Sequence, residues 1–266
     1  MNFLELPNEI ILTICELLGD GDKLNITHTC KKLLSFRELL YFDTEIMLAK
    51  IEDLSYKHNF RKIMIWGGSD IYKLKNFKQL RKLSIMSDFS ENIIEYVPST
   101  VVDLYINGKY NIKGRFSSSL KYLHFGGSFT QDIKGCLPES ITHLRFGNSF
   151  NKNIVDCIPT SVKFLEFGFS FNNDIRGCLP DGLKSLILGY SFNKNIKGCL
   201  PEGLETLIFG GCFDHNIHNC LPPHLKHLKL GFNFDRDIHG CLPPSIEYLT
   251  LSRKFNQNIK DVLPHF

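Results

Sequence analysis

The residues of this 266-residue chain that could do chemistry are its cysteines, its histidines and a series of aspartates and asparagines. Six of the nine cysteines recur at a step of 21 residues: Cys136, Cys157, Cys178, Cys199, Cys220 and Cys241. If one structural unit repeats at that step, neighbouring thiols lie about 5 Å apart, within the Cα range of a disulfide. The N-terminal residues MNFLELPNEI lack the basic segment of a secretory signal, which indicates a reducing compartment. We therefore expect a buried ladder of free thiols rather than disulfides.

A second group has the residue types of a zinc site and consists of Cys212, His215, His218 and Cys220. However, Cys220 belongs to the cysteine ladder, and the other repeats hold Lys, Asn or Arg where His215 and His218 stand. No ligand spacing of the closed zinc type recurs. We therefore expect no metal ion and no cofactor.

A third series places an aspartate or asparagine at one position of each repeat: Asp132, Asn153, Asp174, Asn195, Asn216, Asp237 and Asn258. Such side chains can accept hydrogen bonds from the backbone of their own turn, or they can bind calcium. The Gly-rich nonapeptide of calcium-binding repeats is absent, which favours backbone capping. Phosphate-binding loops, nucleophile elbows and paired-histidine helix motifs are also absent, so we expect the chain not to be an enzyme.

The element that positions these residues is a repeat of 21 residues, for example LKSLILGYSFNKNIKGCLPEG at 183–203. Seven such units fill residues 120–266, and each has a proline near its end, the last being Pro264. Weaker copies begin at Leu80, one of them two residues shorter than the others, and Ile63 and Ile65 indicate a half-unit before them. A repeat of this length is typical of a solenoid.

Each unit predicts one short strand followed by a turn and an extended or 3₁₀ return. Leu186 and Leu188 alternate with Ile187 as in a strand, and the 21 residues leave no room for a full helix. Stacked units would form one parallel sheet with an internal column of apolar residues, in which Phe171 and Phe192 should be fully buried. The predicted strands are 63–65, 83–85, 104–106, 123–125, 144–146, 165–167, 186–188, 207–209, 228–230 and 249–251.

The repeat units resemble the FNIP repeat, a short relative of leucine-rich repeats, and we assign this resemblance to residues 80–266. The resemblance rests on the SFNKNI…LP pattern of the unit, which recurs in consecutive copies. The fold class implied is α/β, in which a short helical N-terminal region precedes a leucine-rich-repeat-like parallel β solenoid.

Residues 1–50 lie outside the repeat and are similar to an F-box, with 51–79 as a junction that contains the degenerate half-repeat. Two departures from the family pattern are Thr29, where an aliphatic residue is commoner, and Tyr41 or Phe42 in a position that is often Trp. We predict a first amphipathic helix in LPNEIILTICELLGD and a second helical stretch around Leu24 to Phe36. The residues that carry the similarity are Leu6, Pro7, Glu9, Ile10, Ile14, Leu17, Leu18, Leu24, Cys30, Lys31 and Lys32.

The F-box resemblance implies a substrate-recognition subunit of a cullin–RING ubiquitin ligase, whose Skp-type adaptor would contact Leu6, Pro7, Glu9, Ile10 and Ile14. The alternative is a repeat scaffold for protein–protein interaction with no ubiquitin role, in which the same helices cap the first coil. The combination of F-box and FNIP repeats is typical of amoebae and of the giant viruses that infect them. The implied localisation is cytoplasmic, or the host cytoplasm for a viral protein.

In either case the repeats would bind an unknown target protein through side chains that alternate with the buried strand residues or follow the strands. The formal net charge of +3 is too small to indicate nucleic acid, and the apolar runs are shorter than the roughly 20 residues of a membrane span. We therefore expect neither nucleic acid nor a membrane as partner. The predicted target-binding residues are Tyr122, His124, His143, Arg145, Phe164, Glu166, Phe169, Tyr190, His227, Lys229, Phe232 and Tyr248.

Overall fold

The computed structural model describes residues 3–89, 91–260 and 262, and its N-terminal part is helical. Pro7 sits before the first α-helix, where its fixed φ suits the start of a helix and its missing N–H costs nothing. The α-helices are Asn8–Glu16 (α1), Asp20–Thr27 (α2) and Lys31–Leu34 (α3). The 3₁₀ turns are Phe3–Glu5, Ser35–Glu38, Leu48–Lys50, Lys57–Asn59, Gly68–Asn76 and Ile93–Glu95.

The rest of the chain is a parallel β solenoid whose strands form one sheet in chain order, as the repeat predicts. Equivalent residues of successive coils are paired, for example Leu165 with Leu186. The strands are Ile46–Met47 (β1), Lys62–Ile65 (β2), Lys82–Ile85 (β3), Asp103–Ile106 (β4), Tyr122–Phe125 (β5), His143–Arg145 (β6), Phe164–Glu166 (β7), Ser185–Ile187 (β8), Thr206–Ile208 (β9), His227–Lys229 (β10) and Tyr248–Thr250 (β11).

The strands differ from the predicted ones in three ways. Strands β2 to β5 begin one residue earlier than predicted and end where predicted. From β6 onward the strands begin and end one residue earlier than predicted, because the residue after each strand already leads into the turn. Phe167 is an example: it follows β7, and its N–H still donates to Ile187 O at 2.9 Å. The sheet also begins earlier, at Ile46, which pairs with Ile63. The first two-residue strand therefore falls within residues 1–50.

The interior is filled by columns of identical side chains. Phe171 and Phe192 are both 0% exposed, as predicted, and their rings stack with centroids 6.3 Å apart. Phe167 stacks on Phe171 within the same coil at 3.8 Å. The ladder cysteines are buried free thiols whose pKa values are raised, mainly by burial: Cys136, Cys157, Cys178, Cys199, Cys220 and Cys241.

Side-chain hydrogen bonds fix the turns of each coil and connect one coil to the next. The predicted capping is confirmed: in each of the seven repeats the Asp or Asn oxygen accepts the backbone N–H two residues later, for example Lys197 N to Asn195 Oδ1 at 2.9 Å. A second ladder runs between coils, where Asn193 N donates to Asn172 Oδ1 at 2.9 Å. These bonds give hydrogen-bond partners to backbone N–H groups of the turns.

One turn position has a positive φ in six consecutive repeats. Four of the residues are glycines, such as Gly177 with φ 66°, whereas Asp156 and Asn219 adopt φ 56° and 54°. Asp and Asn are the non-glycine residues that tolerate this conformation best, so the repeat keeps its backbone at both sites.

The N-terminal helices differ from the predicted pair, because the stretch from Leu24 to Phe36 is not one helix. It breaks after Thr27, whose hydroxyl donates to Lys23 O at 2.8 Å, and Cys30 is extended with φ −159° before α3 begins. Threonines that bond their own backbone compete with helix continuation. At the other end of the chain, Pro264 lies outside the described residues.

Candidate functional site

Helix α1 has one buried and one exposed apolar face. Ile11 and Cys15 are 0% exposed and belong to the hydrophobic core. The adjacent side carries four apolar residues at helical spacing, which we call the α1 stripe: Pro7, Ile10, Ile14 and Leu17. Ile10 is 47% and Leu17 83% exposed, whereas Ile14 is half-buried. Ile10 and Leu17 of this stripe are therefore left largely uncovered by the described residues.

The structure places the predicted adaptor-binding residues around this stripe. Pro7, Glu9 and Ile10 are exposed, and Leu6 and Ile14 are half-buried. Four further leucines are exposed in this region, and none of them is among the predicted adaptor-binding residues: Leu4, Leu17, Leu34 and Leu39. The apolar pattern of α1 includes Leu17 but does not say which side faces the core, and only the packing of Ile11 and Cys15 decides it.

A buried lysine joins the helices to the start of the solenoid. Lys23 of α2 is 2% exposed, and its Nζ lies 3.6 Å from a carboxylate oxygen of both Glu16 and Asp20. The same Nζ donates to Tyr41 O at 2.7 Å, and Tyr41 N donates to Glu16 Oε1 at 3.1 Å. Because a buried charge must be paired, this arrangement fixes α1 and α2 against the chain that enters the first coil.

The next residue, Phe42, is one of the two candidates, with Tyr41, for the aromatic position of the F-box-like pattern. It is 0% exposed and stacks on Phe60 with ring centroids 4.8 Å apart. Phe42 also bonds the backbone on both sides of Phe60, because its N–H donates to Asn59 O and its carbonyl accepts from Arg61 N. The helical region and the first coil thus share one core.

The second candidate surface is the outer face of the sheet, where strand side chains form rows along the solenoid. One row contains Tyr122, His143 and Phe164, and after two small residues it continues with His227 and Tyr248. A second row holds His124, Arg145, Glu166 and, three coils later, Lys229. Phe169, Tyr190 and Phe232 are exposed at equivalent positions just beyond the strands. The structure therefore brings the predicted target-binding residues onto one surface.

Neighbouring residues in these rows contact one another. The rings of Phe169 and Tyr190 stack at 4.7 Å with planes 5° apart, and those of Tyr122 and His143 lie 4.6 Å apart. His227 stacks on Tyr248 at 4.7 Å. These contacts hold large rings in fixed orientations at the surface, which lowers the entropy lost when a partner binds.

Cations on this face are partly compensated. Arg145 lies 5.0 Å above the Phe164 ring and pairs with Glu166 at 3.1 Å. Burial lowers the pKa of His124 and of His143, and the charge of Arg145 lowers both pKa values further. Both imidazoles line a shallow depression of about 430 Å³ between β3 and β6. The depression therefore presents neutral rings near neutral pH.

The cysteine and histidine residues considered as zinc ligands do not converge. His215 Nε2 lies 3.2 Å from Asn193 O, and His218 Nδ1 lies 3.8 Å from Cys241 Sγ, a thiol of the next coil. In the part of the chain that the structure describes, no three His, Cys, Asp or Glu side chains are grouped as metal ligands. Across residues 3–89, 91–260 and 262, the helices are all too short or too polar to cross a membrane.

The stacked coils and the helical N-terminal region define a repeat protein of the leucine-rich-repeat-like solenoid class. The FNIP Repeat family model matches residues 110–149, 131–170, 171–212 and 234–265, which together cover half of the chain. The chain therefore belongs to the FNIP repeat family, and FNIP repeat and F-box proteins of a giant virus are similar to it.

Three proteins of Acanthamoeba polyphaga mimivirus are similar to this chain. FNIP repeat-containing protein R636 is 35% identical over 147 residues, which are 48% of this chain and 36% of the relative. F-box protein L165 is 36% identical over 69 residues, 26% of each chain. F-box protein R638 is 36% identical over 64 residues, 24% of this chain and 48% of the relative. The chain thus spans between about a quarter and a half of the length of the relatives it matches.

Proposed function

We propose that this chain is a substrate-recognition subunit of a cullin–RING ubiquitin ligase. In this proposal the α1 stripe docks a Skp-type adaptor, and the outer face of the sheet holds a target protein. The chain itself contributes binding surfaces and no catalytic group. The proposal is supported by the F-box names of two viral relatives and by the helical region that precedes the repeats.

The observation that carries the proposal is the exposure of the α1 stripe. A helix whose only role is to cap a solenoid needs one apolar side, and α1 already buries Ile11 and Cys15 on that side. Leu17 is 83% exposed on the other. Covering one such aliphatic side chain contributes about 1.5–3 kcal/mol, so two or three anchors would hold an adaptor.

The target-binding part of the proposal rests on the aromatic residues of the sheet face. Phe169, Tyr190 and Phe232 expose between 44% and 52% of their surface although they lie beside a large core. Rigid exposed rings grouped on one side of a repeat protein are typical of a binding surface. A target held there would be fixed relative to α1, because Phe42 and Lys23 join the helices to the first coil.

A second candidate function is a repeat scaffold with no ubiquitin role, in which the helices serve only as a cap. It is favoured by the continuity of the core, since Ile11, Cys15 and Phe42 belong to the same cluster as the solenoid interior. This candidate makes the α1 stripe an incidental feature and predicts no adaptor binding. Under either candidate we propose a cytoplasmic protein, in the host cytoplasm during infection.

The test is reconstitution with purified components. The full chain is mixed with a recombinant Skp-type adaptor and the N-terminal half of a cullin, and the mixture is separated by size-exclusion chromatography. We expect the three proteins to elute together. Separate elution at concentrations of tens of micromolar would exclude the ligase proposal and leave the scaffold. Point variants are preferable to removal of residues 1–50, because β1 lies within that segment.

A further inference from the structure

A groove interrupts the aromatic row near the C-terminal end of the sheet face. It has a volume of about 610 Å³ and lies between Tyr190 and Phe232, with Gly211 at its floor. We call it the Gly211 groove. Lys229, Thr250 and Arg253 complete its rim. Phe209 and Leu230, both buried core residues, contribute apolar surface below.

The repeat between those of Tyr190 and Phe232 lacks a side chain at the aromatic position, as does the repeat of Gly127. Phe169, Tyr190 and Phe232 occupy this position in their repeats, and Gly211 occupies it between the last two. The Tyr190 ring lies over Gly211 so closely that a β-carbon there would overlap it. The Tyr190 ring therefore leans into the space that the missing side chain leaves, and the groove lies between this ring and Phe232.

The rim of this groove is basic and uncompensated. Lys229 and Arg253 are exposed, and neither makes an ion pair with another described residue. Lys254 adds a third cation, with its Nζ 5.5 Å from the Phe232 ring centre. None of the described residues that line the groove is acidic. By contrast, Arg145 on the same sheet face is already paired with Glu166.

We propose that the Gly211 groove binds an unmodified acidic segment of the target protein, in which an aromatic or large aliphatic side chain is flanked by carboxylates. The apolar side chain enters between Tyr190 and Phe232, and the carboxylates face Lys229 and Arg253. This inference rests on the proposed function and assigns the chemical class of target that the sheet face selects. Charge complementarity at the rim supplies orientation, and burial of the side chain supplies most of the affinity.

The experiment pans the immobilised full chain against a phage-displayed library of random twelve-residue peptides. We expect enriched peptides to contain one Phe, Tyr, Trp or Leu with at least two Asp or Glu within three positions. The best synthetic peptide is then titrated by fluorescence anisotropy against the chain. Replacement of its apolar residue by Ala should weaken binding at least tenfold.

Charge-reversal variants locate the site. Lys229→Glu together with Arg253→Glu should weaken peptide binding at least tenfold. The control is Lys152→Glu with Lys194→Glu, two exposed lysines on the return side of the coils, and it should keep the peptide affinity within twofold. Retained binding by the groove variant, enrichment of basic peptides, or no enrichment would overturn the inference. A concentration-dependent dimer that the groove variant abolishes would also overturn it, because the occupant would then be a second copy.

Adaptor binding is measured on the same preparations. If the adaptor binds and no acidic peptide does, the inference about the groove is wrong and the proposed ligase role stands. If the acidic peptide binds and the adaptor does not, the groove is right and the chain is a scaffold. The two failures are therefore distinguishable.

Discussion

Gly189 lies directly against the carbonyl oxygen of Gly168, one coil earlier, with no room for a β-carbon between them. The same contact recurs between Gly147 and Gly168 and between Gly210 and Gly231. After each of the strands β5 to β10, a glycine whose missing side chain lets successive coils approach closely therefore lies at the same position. The glycine after the strands β5 to β10 is a packing requirement of the stack rather than a requirement for an unusual φ.

Replacement of Gly189 by Ala should destabilise the solenoid by about 1–3 kcal/mol, because the new methyl group overlaps backbone that cannot rotate away. The measurement is the free energy of unfolding by urea, followed by circular dichroism. Gly127→Ala is the matched control, since a β-carbon at Gly127 meets no atom within 4 Å, and it should change stability by less than about 0.5 kcal/mol. Equal effects of the two substitutions would contradict the close-packed glycine column.

The repeat made most of the fold predictable, because a residue that recurs in seven stacked coils must occupy one environment. The burial of Phe171, the order of the strands and the capping by Asn195 followed from spacing alone. The strand β1 at Ile46 was missed because its two residues lie outside the repeat and pair only through the sheet. The break at Cys30 was missed because threonine hydroxyls that bond the backbone leave no periodic signal.

At the turn position with positive φ, we predict that two substitutions change the stability of the chain in opposite directions. Asn219→Gly should stabilise the chain by up to about 1 kcal/mol, because glycine adopts φ 54° without steric cost. Gly177→Ala should destabilise it by about 1–2 kcal/mol, since alanine at φ 66° is strained. Thermal or urea unfolding of both variants measures the difference. A destabilising Asn219→Gly would show that the Asn side chain makes a contact that outweighs the strain.

The two histidines of the sheet-face depression predict a pH dependence. Burial, and then the charge of Arg145, lowers the pKa values of His124 and His143 below the ordinary value of 6.5. Above pH 6.5 both imidazoles are neutral in the folded and the unfolded chain, so they contribute no pH dependence. As pH falls through 6.5 the unfolded chain takes up protons first, and the free energy of unfolding decreases until the folded pKa values are passed.

The check is the histidine titration by NMR together with urea unfolding at pH 7.5 and pH 5.5. The double variant His124→Gln and His143→Gln should lose less stability between these pH values than the unmodified chain. Titration of both imidazoles at or above pH 6.5 would show that the depression does not disfavour their charged forms.

The exposed rings of the sheet face predict a loss of target binding on truncation. Substitution of Phe164, Tyr190 and Phe232 together by Ser should weaken target binding by about 2 kcal/mol or more, because aromatic anchors dominate interfaces. The matched control replaces three exposed lysines at one position of the return side, Lys134, Lys197 and Lys260, by Ser. Affinity for a target peptide, measured by fluorescence anisotropy, should fall for the first variant only. Unchanged binding by the aromatic variant would exclude this face as the target-binding surface.

The candidate site was less predictable than the fold. Strand alternation correctly oriented Arg145 and Glu166 outward, yet it could not show that they pair at 3.1 Å and neutralise each other. The sequence shows that Gly211 lacks a side chain at this position, but it does not show that the Tyr190 ring lies over Gly211 and shapes the groove. In α1, hydrophobic periodicity alone did not distinguish the face that packs from the face that remains exposed.

The central claim is that the α1 stripe binds a Skp-type adaptor, and calorimetric titration of the purified adaptor into the full chain tests it most directly. The account predicts binding by the unmodified chain. Substitution of Leu6 and Pro7 by Ala should weaken it by about 1–3 kcal/mol, and Ile10→Asp by at least as much, because each change removes apolar surface that the adaptor would cover. Val155→Asp is the control, because Val155 is 46% exposed on the solenoid against 47% for Ile10. The control should bind like the unmodified chain. Adaptor binding of equal strength by all variants, or none by the unmodified chain, would contradict the account.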